Sequence, residues 1–276
     1  MYNNEIDIIM NTEGRIMNKH TRIGCFLLAA LLLALVFAGC GTGKSASVKT
    51  GVIGAMDEEV ASLKAALTGK KTTTVAGMEF CSGKLDGADV VVVQCGIGKV
   101  NAGTCAQLLI SLFGVDRIIN TGVAGSLDAE IDIGDIVIST DAVQHDFDFT
   151  PLGYAMGELP DAGLGMAADP EMRKSAVNAV KECAPEIRVF EGRVCTGDRF
   201  IASGEQKAYL ISTYGGKCCE MEGGAIAQIC TLNEIPFVII RAISDKADDS
   251  EEMSYQEFEE AAAYRCAAIV RYMLSH

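Results

Sequence analysis

From Thr50 onward, short apolar runs alternate with longer stretches whose apolar residues recur every three or four positions. The runs TGVIGA (50–55), ADVVVVQC (88–95), DRIINTG (116–122), GDIVISTDAV (134–143), IRVFEGRVCTG (187–197) and IPFVIIRAISD (235–245) read as strands. Unbroken valine and isoleucine of this kind marks strands buried on both faces. DEEVASLKAALT places Val60, Leu63, Ala66 and Leu67 on one helical stripe. KVNAGTCAQLLISLF (99–113) also reads as a helix, and DPEMRKSAVNAVKECA (169–184) as one opening with Asp169 as cap and Pro170 in the first turn. CCEMEGGAIAQICTLN (218–233) passes from a strand end into a helix, and a long helix closes the chain over 254–274. Strands in alternation with helices predict an α/β fold. No repeat, low-complexity tract or strong linker follows Lys49, so residues 50–276 are expected to form a single domain.

Two stretches break the alternation. Residues 141–169 hold Phe147, Phe149, Tyr154, glycines and Pro160 without a clear period. A loop of this length in a compact domain is usually functional or disordered. It reads either as a segment whose aromatics cover something or as a plain surface excursion. The second stretch is IGCFLLAALLLALVFAG (23–39), uncharged and preceded by Lys19 and Arg22. The following AGCGTGKS fits a loose phosphate-loop pattern. Such a loop needs a strand before it and a helix after it, and neither is present. A basic flank, an apolar stretch and small residues describe an export signal instead. The terminal AGC resembles a bacterial lipoprotein box, in which Cys40 is lipidated and residues 41–49 form a polar tether; Phe37 departs from that pattern, which prefers Leu. Export and membrane anchorage through a lipid on Cys40 are therefore expected, with a cytoplasmic protein the alternative if the signal is not used. Residues 1–16 read as an upstream extension or as a misplaced start, since Met17 opens an ordinary signal.

The net charge of −14 argues against nucleic acid, which requires clustered Lys and Arg. Removing residues 1–39 takes away three acids and three bases and leaves that balance unchanged. The 11 cysteines lack metal-ligand spacing and sit mostly in apolar segments, where they read as small buried residues. With three histidines and no ligand cluster, neither a metal nor a cofactor is expected.

In α/β sheets ligands bind beyond the carboxyl ends of strands. Those ends carry Asp57, Glu58 and Glu59, the Gly-rich CGIGKVNAG and TGVAGSL, Met221–Glu222, and Ser244–Asp245. Singly each has an ordinary reading: acids in a first helical turn suit the helix dipole, and Ser244–Asp245 could be a strand-end cap. Together they place carboxylates beside backbone that can approach a ligand closely.

The segments VIGAMDEEV, GIGKVNAG, INTGVAGSL, IGDIVIS, TGDRFI, EMEGGAIAQIC and VIIRAISDKAD, in this order over about residues 50–275, resemble the 5′-methylthioadenosine/S-adenosylhomocysteine nucleosidases of the purine nucleoside phosphorylase superfamily. The resemblance implies a three-layer α/β/α domain with a twisted mixed sheet, a homodimer, and hydrolysis of the bond between adenine and the thioribose, with 5′-deoxyadenosine a further expected substrate. It implies that Glu59 activates water, Asp245 protonates adenine N7 and Glu222 holds the ribose hydroxyls above Met221. Phe200 and Ile201 match the adenine pocket, and Ile97 and Tyr255 match apolar walls. Arg241 and Ser244 line the sugar and position the acid, while Tyr154 and Pro160 match positions that reach the neighbouring subunit's site. Val123 stands where some members carry serine, which removes a hydroxyl near the water. The physics suits these roles. Cleavage develops oxocarbenium character, so one carboxyl must be ionised and the other must hold a proton to give to the leaving base. Phosphorolysis would need cationic donors after the first strand; MDEE stands there and would repel phosphate, which favours water. A related purine nucleosidase, such as a futalosine-type enzyme, a phosphorylase, or an exported binding protein on the same fold are the alternatives.

Overall fold

A computed structural model describes residues 47–248 and 251–276, with the side chains of 251–260 outside the description. The expected signal segment, Cys40 and most of the tether lie outside the described residues. Ser47–His276 form one compact unit.

The chain runs β1 (Lys49–Gly54), α1 (Asp57–Ala66), β2 (Thr68–Val75), β3 (Met78–Leu85), β4 (Ala88–Gln94), α2 (Lys99–Phe113), β5 (Arg117–Ser126) and β6 (Ile136–Gln144). A short 3-10 turn (Thr150–Leu152) precedes β7 (Met166–Ala167), α3 (Pro170–Cys183), β8 (Val189–Thr196), α4 (Gly204–Tyr214), β9 (Cys218–Glu220), α5 (Gly223–Leu232), β10 (Phe237–Asp245) and α6 (Glu251–Ser275). The sheet is ten-stranded and mixed. Strand β1 lies parallel between β4 and β5, and β5 runs parallel to β10. The β10–β6, β3–β4, β2–β3 and β5–β9 pairs are antiparallel.

Because β10 pairs with both β5 and β6, while β9 bridges β8 to β5, the sheet curls until β5, β10, β6, β8 and β9 close a ring. Closure follows from the right-handed twist that every strand adds, and it brings the ends of β5, β9 and β10 together.

Alternate residues of the central strands feed opposite layers, as the two-residue period requires. Val91, Val93, Ile118 and Ile239 join the core under α2 and α5, which includes Ala102, Cys105, Leu109, Ile226 and Cys230. Val90, Val92, Ile119, Val238 and Ile240 join the core under α1, α3 and α6, with Leu63, Ala176, Cys266 and Val270. Two packed layers on a buried sheet account for the near-continuous apolar runs. Eight of the nine described cysteines are buried, as expected of small apolar residues: six lie in these two layers, and Cys195 and Cys219 lie in a separate apolar cluster with Leu210 and Tyr214.

The structure corrects the reading in three places. The strand read over 116–122 is longer: β5 continues through Gly122 to Ser126. The hairpin β2–β3 and the helix α4 are additional elements. Within the irregular stretch, β6 extends to Gln144 and Met166–Ala167 return to pair with it.

Candidate active site

The site lies in a cleft at the carboxyl ends of β1, β5, β9 and β10, the place where α/β sheets bind ligands. Glu59 is the third residue of α1. Its Oε2 accepts the backbone N–H of Ala55 at 2.6 Å and of Met56 at 3.0 Å, and Oε1 accepts that of Val123 at 3.1 Å. Reaching back to the residues before a helix is what a carboxylate at this position does in a capping box. Asp57 and Glu58 are exposed and remain ordinary first-turn acids, whereas Glu59 is buried. The hold on Glu59 from β5 uses the main chain of Val123, so it does not depend on a serine hydroxyl there.

Gly122 makes this approach possible, since a Cβ there would overlap the Glu59 carboxylate and the Arg241 guanidinium. Gly125 plays the same part for the acid at the end of β10: a Cβ would lie 2.6 Å from Asp245 Oδ1. Asp245 is buried, accepts the Ser244 hydroxyl at 2.7 Å on Oδ2 and accepts the Ala247 N–H at 2.9 Å on Oδ1.

Glu222 stands between β9 and α5, where its Oε1 accepts the Gly98 N–H at 2.9 Å. Arg241 is fully enclosed. Its guanidinium pairs with Glu220 and lies 3.7 Å from Glu222 Oε2; it also donates to Asn120 Oδ1 at 2.5 Å and to the Val123 carbonyl at 3.2 Å. Three buried carboxyls thus surround one guanidinium. Burial pushes Glu59 above the ordinary carboxylate range, against the pull of Arg241 and of the three backbone N–H groups. Burial, helped by the nearby Glu220 charge, pushes Glu222 up to about 7 even though Arg241 pulls it down. Arg241 stays charged: burial lowers its pKa, but Glu220, Glu222 and Glu59 together raise it further.

Ile97, Phe200, Ile201, Met221, Arg241 and Ser244 also line the cleft. Ile97 and Phe200 are more than half exposed, so they form its mouth. Tyr154 and Pro160 do not line the cleft of their own chain. Tyr154 packs on Phe149 with ring centroids 5.3 Å apart, and Pro160 is exposed. The side chain of Tyr255 falls outside the described residues. The sequence reading missed Glu220. Its signal was a second carboxylate two residues before Glu222, at the end of an apolar strand.

A phosphorylase-superfamily model matches residues 49–275. A 5′-methylthioadenosine/S-adenosylhomocysteine nucleosidase of Shewanella loihica is 39% identical over 230 residues, 83% of this chain and 100% of the relative. The nucleosidase of Colwellia psychrerythraea, solved with adenine, is 41% identical with a TM-score of 0.80, covering 83% of this chain and 95% of that one. That of Neisseria meningitidis, solved with methylthio-immucillin-A, is 37% identical with a TM-score of 0.80, covering 82% and 98%. With carboxyls from three separate segments meeting in one cleft, and similarity running through the whole described domain, this chain belongs to the 5′-methylthioadenosine/S-adenosylhomocysteine nucleosidase family of the phosphorylase superfamily.

Proposed function

We propose that the protein hydrolyses the N-glycosidic bond of 5′-methylthioadenosine and S-adenosylhomocysteine, releasing adenine and the thioribose, with Glu59 as base and Asp245 as acid. The observation that carries this reading is the convergence of Glu59, Glu222 and Asp245 on a single cleft. Glu59 takes a proton from water as the glycosidic bond loosens. A base raised from the ordinary carboxylate range accepts that proton more readily. Asp245 gives its proton to adenine N7, so the base leaves neutral. The sugar carries oxocarbenium charge in between, and the buried carboxylates favour it electrostatically. Glu222 accepts the ribose hydroxyls, as a carboxylate with four lone-pair sites can. Phe200 and Ile201 enclose the purine, and Met221 and Ile97 pack on the sugar side. 5′-Deoxyadenosine, which has the same ring system and a smaller 5′ group, is a further substrate.

The working unit is a homodimer. Exposed apolar side chains support this, among them Ile97, Val100, Leu112, Leu152 and Tyr154, which a second copy would cover. Tyr154 and Pro160 then serve the neighbour's site. The protein works outside the cytoplasm, held to the membrane by a lipid on Cys40, where it cleaves nucleosides reaching it from outside. Among the described residues no helix is long and apolar enough to cross a membrane.

The test is product release from methylthioadenosine, S-adenosylhomocysteine and futalosine, separated by chromatography. Adenine from the first two, with futalosine left intact, is the expected outcome. Cleavage of futalosine alone would assign the cleft to a related nucleosidase, and no cleavage of any would favour a binding protein.

A further inference from the structure

Glu220 is a buried carboxylate of the cleft wall that the reaction above leaves without a task. It ends β9, and both its oxygens are engaged by protein donors. Oε1 accepts the Thr196 hydroxyl; Oε2 accepts Arg241 Nη2 and the backbone N–H groups of Glu222 at 3.1 Å and Gly223 at 2.7 Å. Thr196 Oγ1 in turn accepts the Gly224 N–H at 2.6 Å. Glu220 thereby ties the end of β8, the first turn of α5 and the guanidinium from β10 to a single point.

Each tie leads to a reacting group. Glu222 immediately precedes α5, so fixing the Glu222 and Gly223 amides fixes the backbone from which the ribose carboxylate projects. Arg241 lies 3.7 Å from Glu222 and donates to the carbonyl of Val123, whose own N–H holds Glu59. We propose that Glu220 is a positioning residue: it anchors Arg241 and the start of α5, and so sets the place and the charge of Glu222, and through Arg241 those of Glu59, without touching substrate. This rests on the nucleosidase reading.

Its charge has a separate consequence. Glu222 faces Arg241 from β10, Glu220 from β9, Glu59 from α1, the Cys95 thiol after β4 and the Gly98 N–H before α2. Glu220 competes with Glu222 and Glu59 for one cation. Neutralising Glu220 leaves Arg241 to the other two, and both then hold their negative charge at lower pH.

The experiment compares wild type, E220Q, E222Q and the double variant on methylthioadenosine across pH. Cleavage by the wild type tests the nucleosidase reading; the variants test this inference. E220Q is expected to lower kcat/KM at neutral pH on the order of tenfold to a hundredfold, the scale of coupling between directly interacting buried groups. The acid limb of its pH profile is expected to move to lower pH. In the E222Q background the same substitution is expected to cost under about threefold, because coupled groups are not additive. Activity within twofold of wild type, an unmoved acid limb, or the same loss in both backgrounds would overturn the proposal. Should E220Q fail to fold, T196V removes the hydroxyl that donates to Oε1 and accepts the Gly224 N–H, while the Glu220 charge stays. A smaller loss of kcat/KM, itself reduced in the E222Q background, is then expected, and the same loss in both backgrounds would count against the proposal.

Discussion

Glu59 and Glu222 occupy surroundings that oppose their charge, and a single guanidinium with a few backbone amides keeps that charge within reach. Removing the charge should therefore cost activity more than fold. Glu59→Gln is expected to lower kcat by about 10²–10⁴, the usual range for a general base, with the fold retained, since the amide oxygen can still accept the Ala55 and Met56 N–H groups while its NH2 gives up the Val123 one. Retained turnover would remove Glu59 from the base role. Asp245→Asn should lower kcat similarly while adenine still binds, measured by titration calorimetry.

The pH dependence of folding carries a sign. A carboxyl raised from 4.5 to about 7 in the folded protein binds more protons folded than unfolded. Stability from this group is thus present in acid and is lost as pH rises from near 4.5 through about 7. Comparing melting temperatures across this window, Glu222→Gln should gain on the wild type as pH rises. A difference that stays flat, or falls, would contradict the raised value.

At the scale of elements, β5 explains most of the site. It is a strand buried at every residue but its first, whose two glycines face the incoming carboxylates, and its neighbour β10 delivers both Arg241 and Asp245. Gly122→Ala should destabilise by about 1–3 kcal/mol, as overpacking does, and lower kcat by moving Glu59. Urea unfolding and steady-state kinetics measure the two, and an alanine tolerated in both would contradict the contact.

The same glycines show how much was legible beforehand. INTGVAGSL was readable as strand followed by Gly-rich segment, and glycine usually signals a turn. Here it signals close approach within a continuing strand, a distinction that needs the partner from α1. The core strands and α2 were legible because burial on both faces or along one stripe leaves a periodic trace. The hairpin was not: β2 reads TGKKTTTV and is exposed along nearly its whole length, so it has no apolar alternation. Such lysines suit an edge strand, where they discourage pairing with other chains. Helix α4 buries only Leu210 and Tyr214 of its eleven residues, too thin a stripe to see, although Ser203 caps its start and Gly215 ends it. Glu59, Glu222 and Asp245 were legible as a set through family resemblance. Glu220 was not, because nothing in EME says which carboxylate pairs closely with Arg241 and which accepts the Gly98 N–H.

For the whole molecule, ring closure of the sheet gathers residues 59, 222 and 245 on one cleft. A homodimer should appear by sedimentation at micromolar concentration, and Tyr154→Ala should raise KM with little change in kcat if that ring serves the partner's site. An unchanged KM would remove Tyr154 from substrate contact. Lipid on Cys40 is checked by mass spectrometry of the protein extracted from membranes; unlipidated protein found only in the cytosol would refute export.

The central claim is that water, activated by Glu59, is the nucleophile. It is tested most directly by turning over methylthioadenosine in heavy-oxygen water, with and without phosphate, and weighing the sugar. The account predicts free methylthioribose carrying one heavy oxygen at the anomeric carbon, formed at a rate independent of phosphate. A phosphorylated sugar appearing only when phosphate is present would contradict it.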